Sequence, residues 1–312
     1  MQLLILFSVL LAVLVCVVLG ANNASACVET SAGIVSVEYL VLATAGGLGI
    51  IAGAVVEGGK LSNAVYGGVL FSPSNKATAI VLLATLIVML VATILNLPLS
   101  LTQAMVGAAL PIGLLLELGV NWRFFALVAV SWATAPFVAA AFSIVIYQVT
   151  RLTSRRMGSV FRRARMYAAM TLGGSFYVGY ALGANGVGLV DGISKSVINT
   201  PLVFSVLLSI ASVTGIYLFG YGVVRTVSER ILALAGSAAL AAQLGGALTV
   251  HLFTQLGVPV SIIQTTIGGI AGIGQAKDIA IMNRRIVLRI VLGWVVAPLT
   301  GLALAWLLLT LT

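Results

Sequence analysis

The sequence Gly-Ala-Asn-Asn at residues 20–23 recurs as Gly-Ala-Asn-Gly at residues 183–186, and each copy follows a long apolar run. A second motif, Pro-Leu-Ser-Leu-Thr-Gln at residues 98–103, is echoed by Pro-Val-Ser-Ile-Ile-Gln at residues 259–264. The two motifs recur at offsets of 163 and 161 residues. This nearly constant spacing predicts two copies of one unit, at residues 1–149 and 166–312, joined by a basic linker at residues 150–165.

The composition excludes a soluble protein. Hydrophobic residues make up 61% of the 312 residues and charged residues 7%, whereas soluble domains carry about 25% charged residues. Several apolar runs reach the roughly 20 residues that a membrane helix needs. The net charge of +9 does not indicate nucleic-acid binding, because six of the 16 Lys and Arg residues lie in the linker, where they are typical of a cytoplasmic anchor. The chain is predicted to be an all-α polytopic membrane protein embedded in the lipid bilayer.

Polar breaks divide each copy into five apolar segments. They are residues 2–20, 34–56, 77–96, 98–117 and 124–148 in the first copy, and 166–183, 199–222, 231–252, 259–276 and 287–311 in the second. An odd number of segments per copy inverts the second copy relative to the first. The prediction is therefore two inverted-topology repeats with 10–12 transmembrane segments. The excess of basic residues on one side places the linker in the cytoplasm and both termini outside the cell membrane.

The two repeated motifs predict broken or re-entrant helices that meet at the centre. Glycine permits unwinding at the Gly-Ala-Asn motifs, and proline favours a helix start at Pro98 and Pro259. These two short segments either span the membrane or re-enter it. Helix starts offer free N–H groups and a positive dipole end, which suit an anion. The predicted anion-binding residues are Asn22, Asn23, Ser100, Thr102, Gln103, Asn185, Ser261 and Gln264.

Two acids follow the Gly-Ala-Asn motifs at the repeat spacing, namely Glu29 and Asp191. An acid within the membrane is a candidate for binding Na⁺ or a proton, and the alternative is that both acids lie in interfacial loops. His251 is interpreted as a hydrogen-bonded helix residue and not as a proton relay. No nucleotide, zinc or hydrolase motif occurs in the sequence, so neither an enzyme nor a bound cofactor is expected.

In their order along the chain, these motifs resemble those of the inorganic phosphate transporter family. That family carries a Gly-Ala-Asn-Asp motif and a Pro-x-Ser motif once in each half, and the resemblance covers nearly the whole chain. It implies an inverted-repeat permease with extracellular termini that works by alternating access. It also implies phosphate transport by cation symport, with Na⁺ or H⁺ as the coupling ion, and assembly as a homodimer.

The chain departs from the family motifs where side chains would titrate. Asn23 and Gly186 stand where the family has Asp, and Gln103 and Gln264 stand where it has His. Hydrogen phosphate can donate a hydrogen bond to a carboxylate, whereas sulfate cannot, so neutral donors suit sulfate. A sulfate permease of the same fold is therefore the first alternative. The second is a membrane sensor or structural partner that does not transport.

Overall fold

The computed structural model describes residues 2–28, 37–69, 74–95, 99–117, 119–198, 201–230, 236–276 and 284–311, and the regular structure in these ranges is helical. The first half contains α1 (Gln2–Val28), α2 (Tyr39–Val56), α3 (Gly58–Gly68), α4 (Asn75–Ile94), α5 (Leu101–Leu115) and α6 (Trp122–Arg156). The second half contains α7 (Val160–Leu182), a π-helical turn (Gly183–Val187), α8 (Gly188–Ser194), α9 (Pro201–Arg230), α10 (Gly236–Gln255), α11 (Ile262–Ala276) and α12 (Arg284–Leu311).

The two halves repeat one helix order and exchange their contacts. Helices α4, α5 and α6 begin 161 or 162 residues before α10, α11 and α12. Helix α1 packs against α9 as α7 packs against α2, and α5 packs against α12 as α11 packs against α6. Such reciprocal packing is what two repeats related by a pseudo-two-fold axis produce. The fold is therefore the predicted all-α arrangement of two inverted repeats.

Helices α4 and α5 form one hairpin, and α10 and α11 form its counterpart. Helices α5 and α11 have 15 residues each, or about 22 Å at 1.5 Å per residue. They are therefore too short to cross a hydrocarbon core of about 30 Å. The tips of the two hairpins meet, because the Thr102 hydroxyl donates to the Val260 carbonyl oxygen over 3.4 Å. Short helices whose starts meet inside the protein are typical of re-entrant arms, so the structure favours this alternative for both the Pro98 and Pro259 segments. Two symmetry-related hairpins whose tips meet must enter from opposite sides.

Among the described residues, six helices are long and apolar enough to cross a membrane. They are Gln2–Asn23, Tyr39–Val56, Asn75–Ile94, Trp122–Arg156, Leu202–Tyr221 and Val291–Leu311. The basic segment at residues 150–165 is mostly helical, because α6 continues to Arg156 and α7 begins at Val160. Only residues 157–159 join these two helices. The predicted basic linker is therefore a short turn, and its arginines lie on the ends of the two helices that flank the turn.

The first Gly-Ala-Asn motif does not end a helix, and this expectation was wrong. Helix α1 continues through residues 20–23 to Val28, and the second motif forms a π-helical turn instead of a break. Gly20 and Gly183 lie against the backbone of the opposite repeat, where a Cβ would overlap the carbonyl oxygens of Ser212 and Ile50, respectively. These glycines allow close helix crossing, as small residues do at membrane helix interfaces, and do not serve to unwind the chain.

A second pair of glycines brings each hairpin against a helix of the opposite repeat. A Cβ at Gly107 of α5 would overlap the carbonyl oxygen of Pro298 on α12, and a Cβ at Gly268 of α11 would overlap that of Pro136 on α6. Gly107 corresponds to Gly268 at the repeat spacing, and Pro136 corresponds to Pro298. The position of both hairpins therefore depends on the absence of a side chain at these two crossings.

Gly107→Ala and Gly268→Ala should each destabilise the fold, because the added methyl group meets backbone that cannot rotate away. Overpacking of this kind costs about 1–3 kcal/mol, so the thermal unfolding midpoint in detergent should fall for both variants. Gly173→Ala is the matched control, because Gly173 also lies in a helix but has open space where the Cβ would be. Equal midpoints for all three variants would contradict the proposed crossings.

Candidate functional site

The starts of α5 and α11 form the centre of the molecule. Ser100 caps α5 by accepting a hydrogen bond from the Gln103 N–H over 3.3 Å, and Ser261 caps α11 by accepting one from the Gln264 N–H over 3.3 Å. Serine favours this position because its oxygen satisfies one of the N–H groups that the helix leaves free. The other N–H groups of each first turn have no partner within the helix. Two helix starts with free donors therefore converge at the hairpin tips.

Asn185, in the π-helical turn, holds the tip of the second hairpin. Its amide nitrogen donates to the Thr254 hydroxyl over 2.8 Å and to the Val258 carbonyl oxygen over 3.3 Å. Its amide oxygen accepts from the Val260 N–H over 3.2 Å. Both donors and the acceptor of this side chain are thereby used. The immediate role of Asn185 is therefore to position the tip.

Asn22 has the equivalent place in the first repeat. Its amide nitrogen donates to the Leu99 carbonyl oxygen at the first tip over 3.2 Å. The Gly-Ala-Asn motif and the Pro-x-Ser motif of each repeat therefore meet through an asparagine. The sequence suggested that both motifs contribute to one site, but not that the first motif supports the second.

A cavity lies between the tips and includes five of the eight predicted anion-binding residues. Its polar lining consists of Asn23, Ser100, Thr102, Asn185 and Ser261. Its apolar lining includes Leu19, Leu182 and Val250. The space inside and in front of this cavity totals about 280 Å³, of which about 10 Å³ can hold the centre of a water-sized molecule. No ionisable side chain is among these lining residues, so the described wall offers neutral hydrogen-bonding groups and helix starts.

The other three predicted residues, Asn22, Gln103 and Gln264, are buried but do not line this cavity. The Gln264 amide nitrogen donates to the Trp132 carbonyl oxygen over 2.8 Å. The side-chain oxygens of Gln103 and Gln264 are buried and have no hydrogen-bond partner among the described residues. A buried acceptor without a partner is costly. These two oxygens are therefore symmetry-related groups that can each receive a donor or a cation.

Asp191 lies away from the cavity, in α8, where it is 5% exposed. Its carboxyl group is next to the hydroxyls of Ser62 and Ser205, with Lys195 nearby. This residue is buried in a helix, so it does not occupy an interfacial loop. Its predicted partner Glu29 lies outside the described residues. A role of these two acids in cation coupling stays a prediction.

A second polar cluster joins the two repeats, and sequence reasoning missed it. His251 on α10 contacts the Glu57 carboxylate between α2 and α3, with 2.9 Å from Nε2 to Oε2. The Tyr177 hydroxyl is 2.9 Å from His251 Nδ1, and the Gln255 amide nitrogen donates to Glu57 Oε2 over 2.7 Å. Lys60 Nζ lies 3.3 Å from Glu57 Oε1. His251 is hydrogen-bonded as expected, but its partner is 194 positions away in sequence, which local patterns do not reveal.

Comparison with known proteins gives one consistent result. The model of the phosphate transporter family matches residues 19–305. A relative named "Putative phosphate permease" from Methanocaldococcus jannaschii is 29% identical over 93% of this chain and 91% of its own length. The sulfate permease CysP of Bacillus subtilis is 24% identical over 94% of this chain and 84% of its own length. A solved structure named "The sodium-dependent phosphate transporter" has a TM-score of 0.86 at 20% identity, covers both chains completely, and shares the fold.

Replacing Asn185 by alanine should loosen the second hairpin tip, because the buried Val260 N–H and Val258 carbonyl groups lose their partner. Each unsatisfied group costs about 1–3 kcal/mol, so hydrogen exchange across residues 256–262 should become on the order of ten times faster. Asn22→Ala is the matched control and should accelerate exchange near residues 99–103 instead. Unchanged exchange at residues 256–262 in Asn185→Ala would contradict this role.

Proposed function

Because the chain belongs to the phosphate transporter family, we propose that it is a permease for inorganic phosphate or a closely related tetrahedral oxyanion. The observation that carries this proposal is the cavity in which two helix starts meet beside Ser100, Thr102 and Ser261. Helix N-termini bind anions because their N–H groups and dipoles favour negative charge. Neutral hydroxyl and amide groups supply additional donors without requiring the anion to be protonated.

The arrangement of the hairpins supports alternating access. The Thr102–Val260 hydrogen bond joins the two tips, and inverted symmetry would bring them to the cavity from opposite sides. In inverted repeats, the two halves can exchange conformations, so that an opening on one side has its equivalent on the other. Transport would then require each hairpin to separate from the cavity in turn. At 3.4 Å the hydrogen bond between the tips is long, and hence weak, which is compatible with such separation.

Na⁺ is our first candidate for the coupling ion, and H⁺ is the alternative. A solved structure that shares this fold is named "The sodium-dependent phosphate transporter". The orphaned oxygens of Gln103 and Gln264 support a cation close to the anion site, because transporters place carbonyl oxygens around coupling ions. Glu29 and Asp191 stay candidates on the basis of their acidity and spacing. Symport is the proposed form of coupling.

Sulfate is the second candidate substrate. Asn23 lines the cavity as a neutral amide, and Gly186 has no side chain that could accept a hydrogen bond from the anion. A carboxylate would favour a protonated oxyanion, whereas the neutral pair does not discriminate against sulfate. The sulfate permease among the relatives supports the same possibility on independent grounds.

The orientation of the chain is also part of the proposal. Six arginines flank the turn between α6 and α7, at positions 151, 155, 156, 162, 163 and 165. The positive-inside rule places this end of the molecule in the cytoplasm and both termini outside. Labelling of a cysteine introduced at either terminus by a membrane-impermeant reagent tests this topology. Assembly as a homodimer in the cell membrane is proposed on the family resemblance.

The purified full chain in proteoliposomes should take up radiolabelled phosphate or sulfate, and an inward Na⁺ gradient should accelerate that uptake. Empty liposomes and the unlabelled competitor anion are the controls. A proton gradient that accelerates uptake where Na⁺ does not would identify H⁺ as the coupling ion. Absence of uptake of both anions under both gradients would favour a sensor or structural partner over a permease.

Asn23→Asp should weaken sulfate uptake more than phosphate uptake, because hydrogen phosphate can donate to the new carboxylate and sulfate is only repelled. We expect the phosphate-to-sulfate affinity ratio to rise by about tenfold, which corresponds to about 1.4 kcal/mol. Asn75→Asp is the matched control, since Asn75 lies in the first turn of α4 and does not line the cavity. An equal loss of affinity for both anions in Asn23→Asp would exclude direct contact with the substrate.

A further inference from the structure

The polar cluster around Glu57 and His251 has no equivalent in the other repeat. At the repeat spacing, Glu57 corresponds to Phe219, His251 to Leu90, and Gln255 to Ile94. Tyr177 and Tyr180 correspond to Leu14 and Val17. The fold therefore forms at this place with apolar side chains in one copy and with a hydrogen-bonded polar network in the other. Because the network is not required by the fold, it calls for a functional explanation.

The cluster lies partly on the surface of the molecule. Lys60 has half of its side chain exposed, and His251 has 26% of its side chain exposed. Ionisable residues in membrane proteins face the protein interior or a water-filled space, because contact with lipid is costly. The apolar counterparts Leu90, Ile94 and Phe219 are also exposed, and apolar side chains suit contact with lipid. The polar face therefore suits a water-filled space, whereas the apolar face suits lipid.

The network accepts a proton without losing its hydrogen bonds. With neutral imidazole, Nε2–H donates to Glu57 and Nδ1 accepts from the Tyr177 hydroxyl, as the distances of 2.9 Å allow. A proton from water then binds at Nδ1, and the Tyr177 hydroxyl turns from donor to acceptor. Partial burial acts to raise the pKa of Glu57, but hydrogen bonds from Lys60 and Gln255 and the charge of His251 outweigh it and lower that pKa. Glu57 is therefore the acceptor for Nε2–H, and Nδ1 of His251 is the ring atom that the geometry leaves to receive a proton.

Other titratable groups that face His251 come from two neighbouring elements. Helix α7 contributes Tyr177 and Tyr180, whose rings lie 5.7 and 5.6 Å from the imidazole ring. The α2–α3 junction contributes Glu57 and Lys60. Imidazole is the side chain that ordinarily changes its charge between pH 5 and 8. Within this set, the imidazole of His251 is the ring that the Glu57 carboxylate contacts directly.

The cluster is mechanically connected to the cavity through α10. His251 lies one turn before Thr254, which accepts a hydrogen bond from Asn185, and α10 leads directly into the tip at Val258. Glu57 holds both His251 and Gln255 on this helix. A hydrogen bond between charged groups is stronger than one with a neutral donor. Protonation of His251 therefore tightens the attachment of the second hairpin to the first repeat.

We propose that His251, Glu57 and Tyr177 form a proton-binding site that holds the α10–α11 hairpin closed when His251 is protonated. Transport would then slow as the pH on that side falls through the range of imidazole titration. The proposal rests on the permease function for its transport readout, but proton binding and hairpin closure can be measured without transport. It concerns control of the hairpin and leaves the identity of the carried anion open.

The test compares wild type with His251→Gln, which keeps a donor toward Glu57 but cannot take up a proton. His251 is the single histidine of the chain, so its imidazole NMR signal is unique and should move between pH 5 and 8. Protection factors for hydrogen exchange at residues 256–262, which correct for the intrinsic effect of pH, should rise about fivefold from pH 8 to pH 5.5 in wild type. They should stay constant in His251→Gln and in Glu57→Gln.

Uptake supplies the second readout. The ratio of His251→Gln uptake to wild-type uptake should rise about fivefold from pH 8 to pH 5.5, and titration of the substrate cancels in this ratio. Glu117→Gln, which removes an exposed carboxylate elsewhere, should follow wild type. A constant uptake ratio together with pH-independent protection in wild type would overturn the proposal. A third outcome separates the two proposals. If neither wild type nor any variant transports, but hydrogen-exchange protection depends on pH in wild type and not in the two variants, the proton site is supported and the permease function is contradicted.

Discussion

The structure depends on satisfying polar backbone groups at two hairpin tips inside a membrane protein. A chain that interrupts its helices at membrane depth must supply partners from the protein, because lipid offers none. Asn185 does so with three hydrogen bonds to Thr254, Val258 and Val260. Asn22 does so at the other tip through Leu99. Once the tips are held, two helix starts face a common cavity. The positive end of each helix dipole would be costly in lipid, but in this cavity it is suited to an anion.

Close packing of the two repeats supplies the second part of the architecture. Glycines at Gly20, Gly183, Gly107 and Gly268 let helices of opposite repeats approach until backbone meets backbone. Transfer of an apolar side chain from lipid to a helix interface gains little free energy. Close backbone contact is therefore a main source of helix association in a membrane. The same glycines that stabilise the pair of repeats also position the hairpins, so packing and the site are not separable features of this molecule.

Function is expected where the two repeats differ, because the scaffold itself is nearly symmetric. Asn23 and Gly186 occupy equivalent positions in the two repeats and both line the cavity, but only Asn23 has a side chain that can form hydrogen bonds. The Glu57–His251 network has only apolar residues at its equivalent positions. An inverted repeat makes the two access routes similar in shape. Unequal polar groups can then make these two routes unequal in energy.

The sequence by itself determined the class of fold, the two repeats and the pairing of their motifs, because hydrophobic length and repeat spacing are properties of the linear chain. It also indicated most of the polar residues around the cavity. It did not distinguish a glycine that unwinds a helix from one that permits a close crossing, so the continuity of α1 through Gly20 was missed. Tertiary structure alone decided that Asn185 supports the tip and that Glu57 meets His251. These contacts join residues far apart in sequence, and their energies exist only after the two repeats have packed together.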